Sequence, residues 1–88
     1  MKIKKGYVLK EIGDSCVVVP IGEAAKTFKG VIALNETAKV LWLTLEKGAE
    51  INDLVDALTA EYEVDRETAL RSSEKFIEKL KDANVIEF

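Results

Sequence analysis

The apolar residues lie in short runs with partial alternation in the first third of the chain and recur at every third or fourth residue afterwards. Residues 7–12 and 16–21 are rich in strand-forming side chains, and the segment Gly-Asp-Ser at 13–15 is typical of a turn, so we predict a β-hairpin. A short apolar run at residues 31–34 predicts a third strand. Because Pro20 has no N–H to donate, it indicates either an edge position or the end of its strand.

Three helices are predicted from the recurrence of apolar side chains, over about residues 36–47, 51–62 and 66–83. The second of these begins at residue 51 or 52. Asn35 and Asp65 precede the first and third helices, where an Asn or Asp side chain can accept a hydrogen bond from the first turn. Both positions therefore mark helix N-termini.

Two segments fit more than one structure. Residues 22–26 suit either a single helical turn or a loop, and residues 85–88 suit either a short strand or a docked tail. Strands grouped before helices predict an α+β fold. We expect a winged helix-turn-helix-like domain, in which an N-terminal three-stranded antiparallel sheet precedes three helices and a short C-terminal strand. At 88 residues, the chain is expected to form one domain, residues 1–88.

The residue types exclude most catalytic and metal sites. The chain has no histidine, the commonest general base and metal ligand, and a single cysteine, so it can form neither a conventional zinc site nor an intrachain disulfide. Cys16 lies in an apolar run and is predicted to be a buried small hydrophobe. The five glycines are too scattered for a phosphate-binding loop. We predict no enzymatic activity, no cofactor and no metal.

Charge is distributed unevenly along the chain. Residues 1–30 carry six lysines against three acidic residues, whereas residues 31–88 carry seven basic against thirteen acidic residues. An acidic body disfavours nucleic-acid binding, which rests mainly on neutralising phosphates. No segment reaches the roughly 18 apolar residues needed to span a bilayer. We therefore predict a cytoplasmic protein that contacts neither nucleic acid nor membrane.

A signature appears where the third predicted strand meets the first predicted helix. Residues 34–42, Leu-Asn-Glu-Thr-Ala-Lys-Val-Leu-Trp, resemble the "LNETA…W" signature of the PqqD family, named after coenzyme PQQ synthesis protein D. Residues 50–54, 62–65 and 76–86 agree further with the family pattern. The resemblance covers nearly the whole chain, from about residue 7 to residue 87.

This resemblance implies a peptide-binding role. Members of the family are recognition elements for ribosomally made, post-translationally modified peptides (RiPPs). They bind the leader region of a precursor peptide and deliver it to a modifying enzyme, often a radical SAM enzyme with iron–sulfur clusters. The implied pathway is the synthesis of pyrroloquinoline quinone (PQQ) or of another RiPP, and the implied module is stand-alone and non-catalytic.

The resemblance also implies a binding mode. The leader adds as an extra strand to the third strand, in a groove beside the third helix. At about 100° per residue, Ser72, Phe76, Lys79 and Ala83 flank one side of that helix, and Leu70, Glu74, Ile77 and Lys81 flank the other. We favour the first flank, with cations available to acidic leader residues. The predicted peptide-binding residues are Val31, Ile32, Ala33, Leu34, Arg71, Ser72, Lys75, Phe76 and Lys79.

Three points stay open in the sequence. Phe28 either packs under the sheet or helps to form the floor of the groove, and we favour packing. A winged-helix DNA-binding regulator is an alternative function, as is a self-associating structural subunit. Because an exposed strand can pair with a second copy, the sequence is compatible with a monomer or a weak homodimer.

Overall fold

The element order follows the predicted one with one strand added at the start. A computed structural model describes residues 1–27 and 30–88, so the expectation for Phe28 lies outside the described residues. The strands are β1 (Lys2–Ile3), β2 (Tyr7–Ile12), β3 (Ser15–Pro20), β4 (Ile32–Leu34) and β5 (Ile86–Glu87). The helices are α1 (Ala24–Thr27), α2 (Glu36–Glu46), α3 (Ile51–Glu61) and α4 (Arg66–Asp82). The predicted α+β class is confirmed.

Strands β2, β3 and β4 form an antiparallel sheet with β3 in the centre. The hairpin between β2 and β3 turns at Gly13, whose φ of +60° lies in the left-handed region that glycine adopts without strain. Pro20 is the last residue of β3 and lies opposite Tyr7. Of the two alternatives for Pro20, the strand terminus is therefore correct and the edge position is wrong.

One face of the sheet contributes to the hydrophobic core. Cys16 and Val18 of β3 and Ile32 and Leu34 of β4 are buried in one cluster with apolar side chains of all three long helices. Trp42 of α2 belongs to this cluster and is fully buried. The cysteine is thus a core residue, as its apolar neighbours predict.

The helix boundaries are explained by local hydrogen bonds. The Asn35 side chain accepts from the Ala38 N–H at 2.8 Å, and the Asp65 side chain accepts from the Thr68 N–H at 3.1 Å. Both contacts satisfy donors that the first turn of a helix leaves unpaired. After α4, Asn84 adopts a φ of 61°, which ends the helix as the sequence predicts.

Strand β1, which pairs with β5, is missing from the prediction. Ile3 lies opposite Ile86, and the Lys4 N–H donates to the Val85 carbonyl at 2.9 Å. The C-terminal segment is thus a strand, while residues 24–27 form the single helical turn α1.

Among residues 1–27 and 30–88, no helix is long and apolar enough to cross a membrane.

The hydroxyl of Ser73 is an unpaired polar group inside the core. Ser73 is fully buried on the inner face of α4, and its Oγ has no hydrogen-bond partner among the described residues.

A buried donor without a partner costs free energy, so we expect Ser73→Ala to leave the stability unchanged or to raise it by up to about 1 kcal/mol. Urea unfolding of this variant beside Ser72→Ala measures the effect. A loss above about 1 kcal/mol would contradict it.

The cap of α4 should make stability depend on pH. Hydrogen bonds from the Thr68 side chain and backbone hold the pKa of Asp65 below its ordinary value of 3.8. The capping contribution is therefore complete above the unfolded pKa and is lost as pH falls through the lower folded pKa. Asn keeps a capping oxygen that does not titrate. We expect wild type to lose stability relative to Asp65→Asn between about pH 5 and about pH 2 in thermal unfolding, and parallel curves would contradict this.

Candidate functional site

A groove runs between strand β4 and helix α4, and we call it the β4–α4 groove. Strand β4 is the last strand of its sheet, so one of its main-chain edges pairs with β3 and the other faces the groove without a described partner strand. The groove has a volume of about 280 Å³. It is lined by Ala33, Asn35, Ala38, Leu41, Ser72, Lys75, Phe76 and Lys79.

The alternation of side chains along β4 accounts for the position of this edge. Ile32 and Leu34 point into the core, whereas Ala33 between them is exposed. Anchoring by two buried side chains in three residues holds the strand against the helices. The small side chain of Ala33 leaves space beside the strand, so its free edge stays accessible.

The floor of the groove is apolar and its outer rim is cationic. Leu41 of α2 and Phe76 of α4 are buried and form the floor, with half-buried Ala38 beside them. Lys75 and Lys79 lie one helical turn apart on the exposed side of α4, and neither forms an ion pair within residues 1–27 and 30–88. The groove therefore combines unpaired main-chain groups, an apolar surface and two uncommitted positive charges.

The structure places the predicted site residues in three groups. Ala33, Ser72, Lys75, Phe76 and Lys79 line the groove together, so the first flank of α4 is the one that faces β4. Ile32 and Leu34 support the strand from the core, and Val31 is exposed just before β4 begins. Arg71 is exposed and does not line the groove; it lies close enough to Asp65 to help lower the pKa of that carboxyl.

Helix α2 and the cap residue before it supply three lining residues that sequence reasoning missed: Asn35, Ala38 and Leu41. Asn35 has a second function as the N-cap of α2. A signal for them existed, since α2 begins two residues after β4 and its first turns must lie beside that strand. The family signature at residues 34–42 covers all three positions.

A second hollow continues from the groove toward the hairpin turn and shares Asn35 with it. Its polar centre is an ion pair between Glu11 of β2 and Lys39 of α2. The hydrogen bond from Lys39 lowers the pKa of Glu11, and the same hydrogen bond raises the pKa of Lys39. Both groups are charged at neutral pH, and their pairing ties the hairpin to α2.

The residue types that line the groove are those of a peptide-binding surface. Within the described residues, no group of three or more Cys, Asp or Glu side chains is placed to hold a metal ion. The thiol of Cys16 is buried in the core. The features that remain at the site are a strand edge, an apolar floor and cations, and these are the elements that recognise an extended peptide.

Known proteins that resemble this chain include two that are solved with a bound leader peptide. Residues 15–86 match the sequence profile of the family "Coenzyme PQQ synthesis protein D (PqqD)". The solved structure "TbiB1 in Complex with the TbiA(beta) Leader Peptide" is 30% identical, with a TM-score of 0.78 over 99% of this chain and 95% of that chain. "Lasso peptide synthetase B1 complexed with the leader peptide" is 23% identical and shares the fold, with a TM-score of 0.74 over 96% and 93%. No curated protein matches the chain.

Proposed function

Because this chain belongs to the PqqD family, we propose that it binds the leader region of a ribosomally made precursor peptide in the β4–α4 groove and delivers it to a modifying enzyme. The observation that carries this proposal is the unpaired edge of β4 beside an apolar groove. Further support comes from TbiB1, which is solved with a leader peptide and shares 30% of its residues with this chain.

In the proposed complex, the leader adds a fourth strand to the sheet. Main-chain groups of the leader exchange hydrogen bonds with the free edge of β4, and alternate leader side chains point toward the floor at Leu41 and Phe76. The three residues of β4 offer only about 10 Å of edge. Such a short ladder supplies few hydrogen bonds, so apolar contacts with the floor must contribute much of the affinity and most of the selectivity.

The cationic rim favours an acidic leader. Lys75 and Lys79 stand on the groove side of α4 and lack an internal ionic partner among the described residues. A leader carboxylate placed over the floor would come within reach of one or both ammonium groups. Exposed pairs of this kind add little binding energy individually, but they raise the association rate and set the orientation of the bound strand.

The chain itself is proposed to be non-catalytic, as PqqD-like recognition elements generally are. The partner is a peptide-modifying enzyme, of which radical SAM enzymes are the frequent case in the family, acting in PQQ or another RiPP pathway. We place this exchange in the cytoplasm, where ribosomes make the precursor. Bringing the leader and the enzyme together raises the effective concentration of the substrate peptide at the active site.

Leader capture can be mapped by NMR. When ¹⁵N-labelled protein is titrated with the leader of its precursor peptide, we expect the amides of β4 and of Ser72, Lys75 and Lys79 to shift. The free edge of β2 and the face of α4 at Glu74 should stay unchanged, because both lie away from the groove. Shifts concentrated on β2 would show that the leader adds to the opposite edge of the sheet.

Charge reversal tests the cationic rim. We expect Lys75→Glu with Lys79→Glu to weaken binding of an acidic leader roughly tenfold, and to flatten its dependence on salt, because two attractive contacts become repulsive. Lys5→Glu with Lys10→Glu is the matched control: it makes the same change in net charge at exposed positions outside the groove. Fluorescence titration at two salt concentrations gives both affinities. Equal losses in the two variants would rule out a local role for the rim.

A further inference from the structure

Helix α4 borders a second groove on the flank that faces away from β4, and we call it the acidic groove. Its volume is about 520 Å³. The floor is apolar and consists of Met1, Ile51 and Ile77, all half-buried and packed on the outside of the core. One wall carries the carboxylates of Glu74, Glu78 and Asp82.

The three carboxylates lie at four-residue spacing, so they form a column on one side of the helix. Like charges at this spacing destabilise a helix. None of the three has an ion pair with any residue in the described parts of the chain. The column therefore contributes no ion pair to the described part of the fold, and its carboxylates are available to a cationic partner.

Neither cation among the described lining residues forms an ion pair with the column: the N-terminal ammonium of Met1 lies 3.8 Å from the Glu50 carboxylate instead. The ammonium of Lys81 lies 5.9 Å from the centre of the Phe88 ring, a geometry suited to a cation–π contact. The exposed Phe88 ring adds apolar surface to this side of the groove. A negative wall beside an apolar floor therefore remains open to a partner.

The two grooves lie on opposite flanks of one helix and carry opposite charge. Lys75 and Lys79 line the β4–α4 groove, whereas Glu74, Glu78 and Asp82 line the acidic groove. A leader on the β4 side leaves the acidic groove uncovered. Both grooves can thus be occupied at the same time, as delivery of a held peptide to an enzyme requires.

We propose that the acidic groove is the surface through which this chain docks to its peptide-modifying enzyme, and this inference rests on the proposed function. The enzyme contributes a segment of lysine or arginine residues flanking an apolar side chain. The apolar side chain packs on Ile51 and Ile77, and the cations pair with the carboxylate column. Charge of this kind steers the encounter and excludes an acidic leader from the same groove.

The test uses the full chain, the leader peptide and the enzyme that modifies that precursor. Enzyme affinity for the leader-saturated chain is measured by calorimetry for wild type, for Glu74→Lys with Glu78→Lys, and for the uncharged pair Glu74→Gln with Glu78→Gln. The matched control is Glu61→Lys with Glu63→Lys, which reverses two exposed acidic residues that line neither groove. Leader affinity is measured separately for every variant.

We expect the Lys pair to weaken enzyme binding by roughly tenfold or more, the Gln pair to weaken it less, and the control to match wild type. Leader affinity should be unchanged in all four proteins. Enzyme binding by the Lys pair at the level of the control would overturn the docking surface while leaving leader capture intact. Failure of wild type to bind leader would instead overturn the proposed function. Self-association of the chain that the Lys pair abolishes would assign the groove to a second copy and also overturn the docking surface.

Discussion

The burial of Ile32 and Leu34 is the contact on which the rest of the site depends. These two side chains hold β4 against the core, although the strand is only three residues long and pairs with β3 on one side alone. Burial of each aliphatic side chain contributes about 1.5–3 kcal/mol. Without that anchor, so short an edge strand would fray, and the β4–α4 groove would lose one wall and its row of main-chain donors and acceptors.

Helix α4 organises the remaining surfaces because it carries three distinct faces. Its inner face, with Leu80 fully buried and Phe76 nearly so, packs into the core. One flank presents cations to the groove beside β4, and the other presents carboxylates to a groove beside α3. A helix packed on only one side leaves two flanks free. Under the two proposals, the leader and the enzyme contact different flanks of the same helix.

Several features followed from local sequence alone. The hairpin, the three long helices and the caps at Asn35 and Asp65 are correct because turns, caps and helical periodicity depend on residues within about four positions of each other. The burial of Cys16 followed from its apolar neighbours. The strand that lines the groove also followed from the sequence, through a short apolar run and through the family signature that follows it.

The tertiary structure decided what local patterns cannot encode. Strands β1 and β5 pair residues from opposite ends of the chain, with Lys2 opposite Glu87, and two-residue strands carry no period to detect. Helical spacing defined two flanks of α4 but not the flank that faces β4, because that choice depends on how the helix packs against the sheet. The share of α2 in the floor, through Ala38 and Leu41, has the same origin. The sequence by itself thus determined the hairpin, β4, the three long helices and, through the family signature, the type of binding site. Packing between distant segments decided the pairing of β1 with β5 and which side chains meet in the groove.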